Sequence, residues 1–187
     1  MTTDTKTALL DFAEQAARAR GFDGFSYADL AEAVGIRKAS IHYHFETKAA
    51  LSAALMDRYH AKLKGACADI DATHERAADR MKALIAVYRE ALNGGKTLCL
   101  CVSFIASRES LSDAVMDKVG AFRAMMVNWI ESVFELGARD KSISNVMDPA
   151  HEARATLALL EGAHLAARAE EDAKVFDQVV KVLRARC

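Results

Sequence analysis

A single proline, Pro149, stands in the 187 residues, and the apolar side chains on either side of it recur three and four positions apart. Proline removes a backbone donor and clashes with the preceding turn, so a chain that nearly omits it is free to be helical throughout. Val115, Val119, Phe122, Met126, Trp129 and Val133 follow one another at four, three, four, three and four, which is one face of a helix. No run of alternating polar and apolar residues suggests a strand. The expected fold class is all-α.

The boundaries of the helices are also written locally. Leu9, Phe12, Ala13 and Ala16 give a first amphipathic helix ending near Gly21. Ser26 precedes "YADLAEAV" with Asp29 three residues on, the spacing of a capping box with Asp in the acidic place. Gly35 stops that helix, a third spans about Lys38 to Phe45, and a long one opens at Lys48. Met81, Leu84, Ile85, Tyr88 and Leu92 form a stripe closed by Gly94–Gly95, and Gly137 is expected to stop the helix of the Val115 stripe. Asp148–Pro149 is a start signal, a capping acid with proline at the first helical position. Leu157, Leu160, His164 and Ala167 share one face, and Phe176, Val179, Val180 and Leu183 mark the last helix. Short helices up to residue 47 and longer ones beyond divide the chain into two all-helical parts, 1–47 and 48–187.

Composition excludes several classes. The content is 52% hydrophobic and 27% charged with net charge −1, so bulk charge names no nucleic-acid or membrane partner. The longest apolar run, Leu98 to Ala106, falls well short of the roughly 20 residues of a membrane span. "MTTDTKT" lacks the basic-then-apolar pattern of a signal peptide. Cys67, Cys99, Cys101 and Cys187 are then expected to be thiols in a cytoplasmic protein. No cofactor is implied.

The densest polar segment is "GIRKASIHYHFETK", Gly35 to Lys48. His42 and His44 point about 200° apart on a helix and cannot share a metal ion, and no Cys or acidic partner sits at ligand spacing, so no metal is expected. No third group is present to orient a catalytic pair. A helix–turn–helix absorbs every polar residue at once. Leu30, Ala31 and Val34 pack the first helix, Gly35 turns the chain, Ile36 fills the junction, and Ile41 and Phe45 anchor the second helix. Lys38, Ser40, His42, Tyr43 and His44 then face solvent, and small Ala39 and Ser40 let the N-terminal end approach a groove about 12 Å wide.

The stretch "GFDGFSYADLAEAVGIRKASIHYHFETKAAL" resembles the DNA-binding domain of the TetR family of bacterial transcription regulators, over about residues 5 to 55. The resemblance implies an N-terminal three-helix domain that binds double-stranded operator DNA, and a C-terminal helical domain for effector binding and dimerisation. It implies phosphate contacts from Tyr43, His44 and Lys48, groove-facing roles for Lys38, Ala39, Ser40 and His42, and a buried Phe45. Ser26, Tyr27 and Arg37 complete the expected DNA-binding set. Arg37 departs from the family's capping serine or threonine, so the recognition helix should be capped less well, by ~1 kcal/mol, with a cation at the DNA surface in return. Residues 1–50 hold six basic and seven acidic side chains, so charge position rather than net charge must steer binding.

One recognition helix reads few base pairs, and two-fold pairing supplies the rest. The last two helices are the expected homodimer interface, with Glu161, Gly162 and Ala163 marking a close approach. A small-molecule effector is expected among Met81, Tyr88, Cys99, Cys101, Phe104, Phe122, Met126, Trp129 and His164, since Met and aromatic side chains suit an adaptable apolar cavity. Some family members sense electrophiles or oxidants through a cysteine in this region. Cys99 and Cys101, if helical, point about 200° apart, so only one should face inward, and a nearby helix start with Lys96 would favour a thiolate. The function so read is a dimeric, non-enzymatic regulator, most simply a repressor released by an effector or by cysteine modification. The contrasting reading is an all-helical adaptor or enzyme in which residues 26–48 are only a helical hairpin.

Overall fold

The computed structural model describes residues 4–187; the first three residues of the expected 1–47 domain lie outside the described residues. Ten α-helices and three short 3-10 turns make up the described chain, with no strand. None of these helices is long and apolar enough to cross a membrane. Packing divides the chain into two units, residues up to Ala61 with Leu100–Phe122, and Lys62–Cys99 with Arg123–Cys187. The first unit therefore extends past residue 47.

The first unit holds α1 (Thr5–Arg20), a 3-10 turn at Phe22–Gly24, α2 (Tyr27–Val34), α3 (Lys38–His44), the first part of α4 (Lys48–Thr73), α6 (Leu100–Ala106) and the start of α7 (Asp113–Asp140). Leu9, Ala13, Leu30, Ile41, Phe45, Leu51 and Leu55 are buried in it, whereas Ala31, Val34 and Ile36 are half-buried. Polar ties fix the helices against α1. Arg58 on α4 reaches Asp11 at 2.6 Å and Glu14 at 2.7 Å, and the Ser103 hydroxyl on α6 donates to the Ala17 carbonyl at 2.5 Å.

The second unit holds the rest of α4, α5 (Ala77–Ala91), the rest of α7, α8 (Pro149–Glu170), α9 (Ala173–Val179) and α10 (Lys181–Arg184). Asp148 caps α8 by accepting from the His151 N–H, with Pro149 at the first position. Asp71 on α4 accepts from Arg80 on α5 at 2.6 Å and from the Trp129 indole N–H on α7 at 3.0 Å. The first amides of α5 donate to Asp140, at the end of α7, and to Ser142 beyond it.

Gly137 does not stop α7, which continues to Asp140. A Cβ at Gly137 would sit 2.9 Å from three Ile143 side-chain carbons. The glycine admits the returning loop rather than ending the helix. The stop comes four residues later at Lys141, whose φ is 61°.

Candidate nucleic-acid interface

The helix pair at residues 26–44 is set by its caps. The Ser26 side chain accepts from the Asp29 N–H at 3.3 Å, while the Ser26 N–H and hydroxyl donate to the Asp29 carboxylate at 2.6 and 2.9 Å. The Ser26 N–H and hydroxyl bonds hold that carboxyl below its ordinary range. Gly35 closes α2 in the left-handed region at φ 72°, which glycine adopts without steric penalty. Arg37 stands in extended backbone ahead of α3 and makes no side-chain cap bond. The long cation is left for other work.

Of the seven residues of α3 only Ile41 is buried. Lys38, Ala39, Ser40, His42 and Tyr43 are exposed together with Arg37, and Tyr43 is 88% exposed. His44 is half-buried with its ring edge-on to Tyr43 at 5.3 Å. An exposed phenol this large on a surface helix carries apolar area into water, which a flat or grooved partner would cover.

Two residues of the expected DNA-binding set have partners inside their own unit. Tyr27 is buried, and its hydroxyl donates to the Phe45 carbonyl at 2.9 Å. That carbonyl follows the last residue of α3 and has no next helical turn to satisfy it, so the phenol serves as its donor. Burial pushes the Tyr27 phenol up to about 12. Lys48 is half-buried, donates to the Phe22 and Phe25 carbonyls at 2.7 and 2.8 Å, and lies 4.2 and 4.4 Å from the centres of their rings. Burial lowers its ammonium below the ordinary lysine range, opposed by the Asp23 and Asp29 carboxylates. Carbonyls and ring faces seat this cation inside its own unit. Ser26 is exposed, but its hydroxyl is committed to the cap.

The Tyr27 phenol gives a pH signature. Its folded value lies above the unfolded value of about 10, so the unfolded state loses its proton first and stability falls as pH rises from about 10 to 12. Tyr27→Phe should remove that increment of alkaline destabilisation, leaving a shallower stability–pH curve in urea titrations. Identical slopes for wild type and Tyr27→Phe would refute it.

The residues expected around an effector are divided between the units. Phe104 meets Phe22 edge-on at 5.8 Å, and Phe122 packs on Tyr59 at 5.2 Å, both within the first unit. Met81, Tyr88, Met126 and His164 are buried in the second. His164 receives the Cys99 N–H on Nδ1 at 3.1 Å, and its Nε2 lies 2.9 Å from the Tyr88 carbonyl, so Nε2 donates and the ring is neutral. Trp129 is half-buried and bound to Asp71. Cys99 and Cys101 are 2% and 0% exposed. The expectation that only one faces inward fails because Cys99 precedes the first residue of α6, so the two are not related by helical rotation.

Sequence reasoning passed over an open groove of about 370 Å³ on the second unit, lined by Arg123, Ala124, Val127, Asn128 and Arg154. Its residues are small or solitary and carry no motif. The one usable signal was Arg123, whose partner Glu161 is engaged by a short ion pair. Among the described residues no group of three or more His, Cys, Asp or Glu comes together around a metal position.

Comparison with known proteins agrees with this geometry. The profile described as "Bacterial regulatory proteins, tetR family" matches residues 9–55, and that described as "Tetracyclin repressor-like, C-terminal domain" matches residues 77–183. The chain belongs to the TetR family. The HTH-type transcriptional regulator TtgR of Pseudomonas putida is 37% identical over 57 residues, 30% of this chain and 27% of TtgR. The chain thus aligns with less than a third of that relative's length. A TetR-family regulator from Agrobacterium tumefaciens superposes with a TM-score of 0.92 at 26% identity, covering 97% of this chain and 96% of the other. One from Legionella pneumophila gives 0.88 at 25%, covering 98% and 97%. E. coli NemR in its reduced form shares the fold at 0.83 and 23%, covering 98% and 97%. The chain is a TetR-family transcriptional regulator with a helix–turn–helix that binds DNA; it is not an enzyme.

Proposed function

We propose that this TetR-family chain is a homodimeric repressor that reads an operator through α3 and leaves it when a small apolar effector enters the helical region after residue 47. The exposed face of α3 carries the reading: Arg37, Lys38, Ala39, Ser40, His42 and Tyr43 lie outward around a single buried anchor, Ile41. Arg37, Lys38 and the half-buried His44 are the positions for phosphate or guanine contacts. The test is retardation of duplex DNA from upstream of the chain's own gene. Lys38→Ala and Tyr43→Ala should each weaken binding about tenfold with unchanged circular dichroism, since exposed residues carry little stability. Because few cations face outward, log affinity against log salt should be no steeper than about −10. Undiminished binding by both variants would refute the assignment.

Dimerisation is supported by α8. Ala155, Ala158, Gly162, Leu165 and Ala169 lie along one exposed stripe, Leu165 being a large apolar side chain in water. A Cβ at Gly162 would meet nothing within 4 Å, so this mid-helix glycine, which costs about 1 kcal/mol against alanine, has no use inside the chain. A second copy laid on the stripe supplies one. Leu165→Glu should convert the dimer to monomer in sedimentation at micromolar concentration; a persistent dimer would place the interface elsewhere.

Release by an apolar effector is favoured over thiol modification, because Cys99 and Cys101 are both buried and a reagent could reach them only after local opening. Met81 and Met126 are the adaptable side chains that could move aside for a ligand.

A further inference from the structure

We infer that His42 reads its base as a hydrogen-bond acceptor, so that its partner in the major groove is an exocyclic amino group, adenine N6 or cytosine N4. The inference rests on α3 being the DNA-reading helix and adds the polarity of one contact. His42 Nδ1 lies 3.0 Å from the Glu46 carbonyl oxygen. A carbonyl can only accept, so Nδ1 carries the hydrogen. In the neutral form of the ring, which has one N–H, Nε2 is left with its lone pair on an exposed side chain.

The ring is held in place from two sides. Tyr27 backs it at 5.0 Å between ring centres, and the Tyr27 hydroxyl is itself fixed to the Phe45 carbonyl. The two carbonyls just past α3, those of Phe45 and Glu46, thus position Tyr27 and His42 in turn. Tyr27 acts here as a positioning residue, which explains why so large a side chain at the start of α2 is buried rather than presented.

The polarity sets His42 apart from its neighbours. Arg37 and Lys38 can only donate, which suits guanine O6 and N7 or a phosphate. Ser40 and Tyr43 hydroxyls can do either. His42 stands one helical turn beyond Lys38, so the same face offers a donor and then an acceptor. Guanine and thymine present only acceptors in the major groove, whereas adenine and cytosine each present one amino donor. A fixed acceptor at this position rejects the first pair and selects the second.

The test uses the full chain and duplexes enriched by it from a random-sequence library. Long-range nitrogen–proton spectra of the free protein should show His42 as the Nδ1–H tautomer. On an enriched duplex, one position per half-site should respond to deletion of its amino group, adenine to purine or cytosine to pyrimidin-2-one, with affinity falling about fivefold to tenfold. His42→Ala should lose the same factor on the intact duplex and nothing further on the deleted one, and His42→Gln should restore a preference for adenine. The Nε2–H tautomer, or a ring protonated on both nitrogens, would overturn the inference. So would a His42→Ala loss that maps instead to 7-deazaguanine or to a methylphosphonate. Failure to enrich any duplex would remove the DNA-reading role of α3 itself, a different outcome from enrichment without amino-group dependence.

Discussion

Lys48→Met should lower the stability of the first unit by about 3 kcal/mol while leaving the salt dependence of operator binding unchanged wherever the variant is folded. Methionine keeps most of the stem and removes the ammonium. Two charge-assisted bonds, at 2.7 and 2.8 Å, are lost from carbonyls that have no helix to bond within, and bonds of this kind contribute about 1.5–3 kcal/mol. Two ring contacts at 4.2 and 4.4 Å add about 0.5–1 kcal/mol each. Against this stands the relief of burying a charge, the cause that lowers the Lys48 ammonium. The net is a fall in midpoint of about 6–12 °C at 2–4 °C per kcal/mol for a chain of this size. A phosphate contact would behave oppositely, with stability kept and the log–log salt slope reduced by about one. Thermal melts and salt titrations of the one variant separate the two roles.

Lys48 also shows where the sequence was legible and where it was not. Helical class, the capping box at Ser26, the turn at Gly35 and the Asp148–Pro149 start are local devices, satisfied within three or four residues, and each could be read from spacing alone. The exposed face of α3 followed from two anchors, Ile41 and Phe45, because a seven-residue helix has little choice of face. The internal partners of Tyr27 and Lys48 were illegible for a common reason. Their partners are main-chain carbonyls 18 and 23–26 residues away, and carbonyls carry no residue identity to read. Gly137 misled because a helical glycine reads alike whether it ends a helix or admits Ile143. Cys99 and Cys101 misled by a boundary of one residue. The helix begins at Leu100, and rotation arguments do not apply across its start.

The largest effect on stability is expected from Gly95→Ala, about 4 kcal/mol, with Gly94→Ala as its control. Gly95 has φ 96°, and a Cβ there would lie 2.7 Å from the Glu171 carbonyl carbon, 2.8 Å from the Asp172 nitrogen and 3.1 Å from the Ala167 oxygen. All three are backbone atoms, one in the last helical turn of α8 and two in the turn between α8 and α9, so no side chain can rotate away. That turn is itself pinned, with Glu171 left-handed at φ 51° and Asp172 capping α9 through the Lys174 N–H. Gly94 shares the left-handed backbone at φ 72° but meets nothing within 4 Å, so alanine there should cost only the conformational penalty of about 1–2 kcal/mol. Urea titrations with unchanged m-values would give both costs directly. Equal costs would mean that the loop after α5 does not press on the α8–α9 turn. A threefold difference would make Gly95 the point at which the loop leading towards α6 is locked to α8, the helix whose exposed stripe is proposed to join the two subunits.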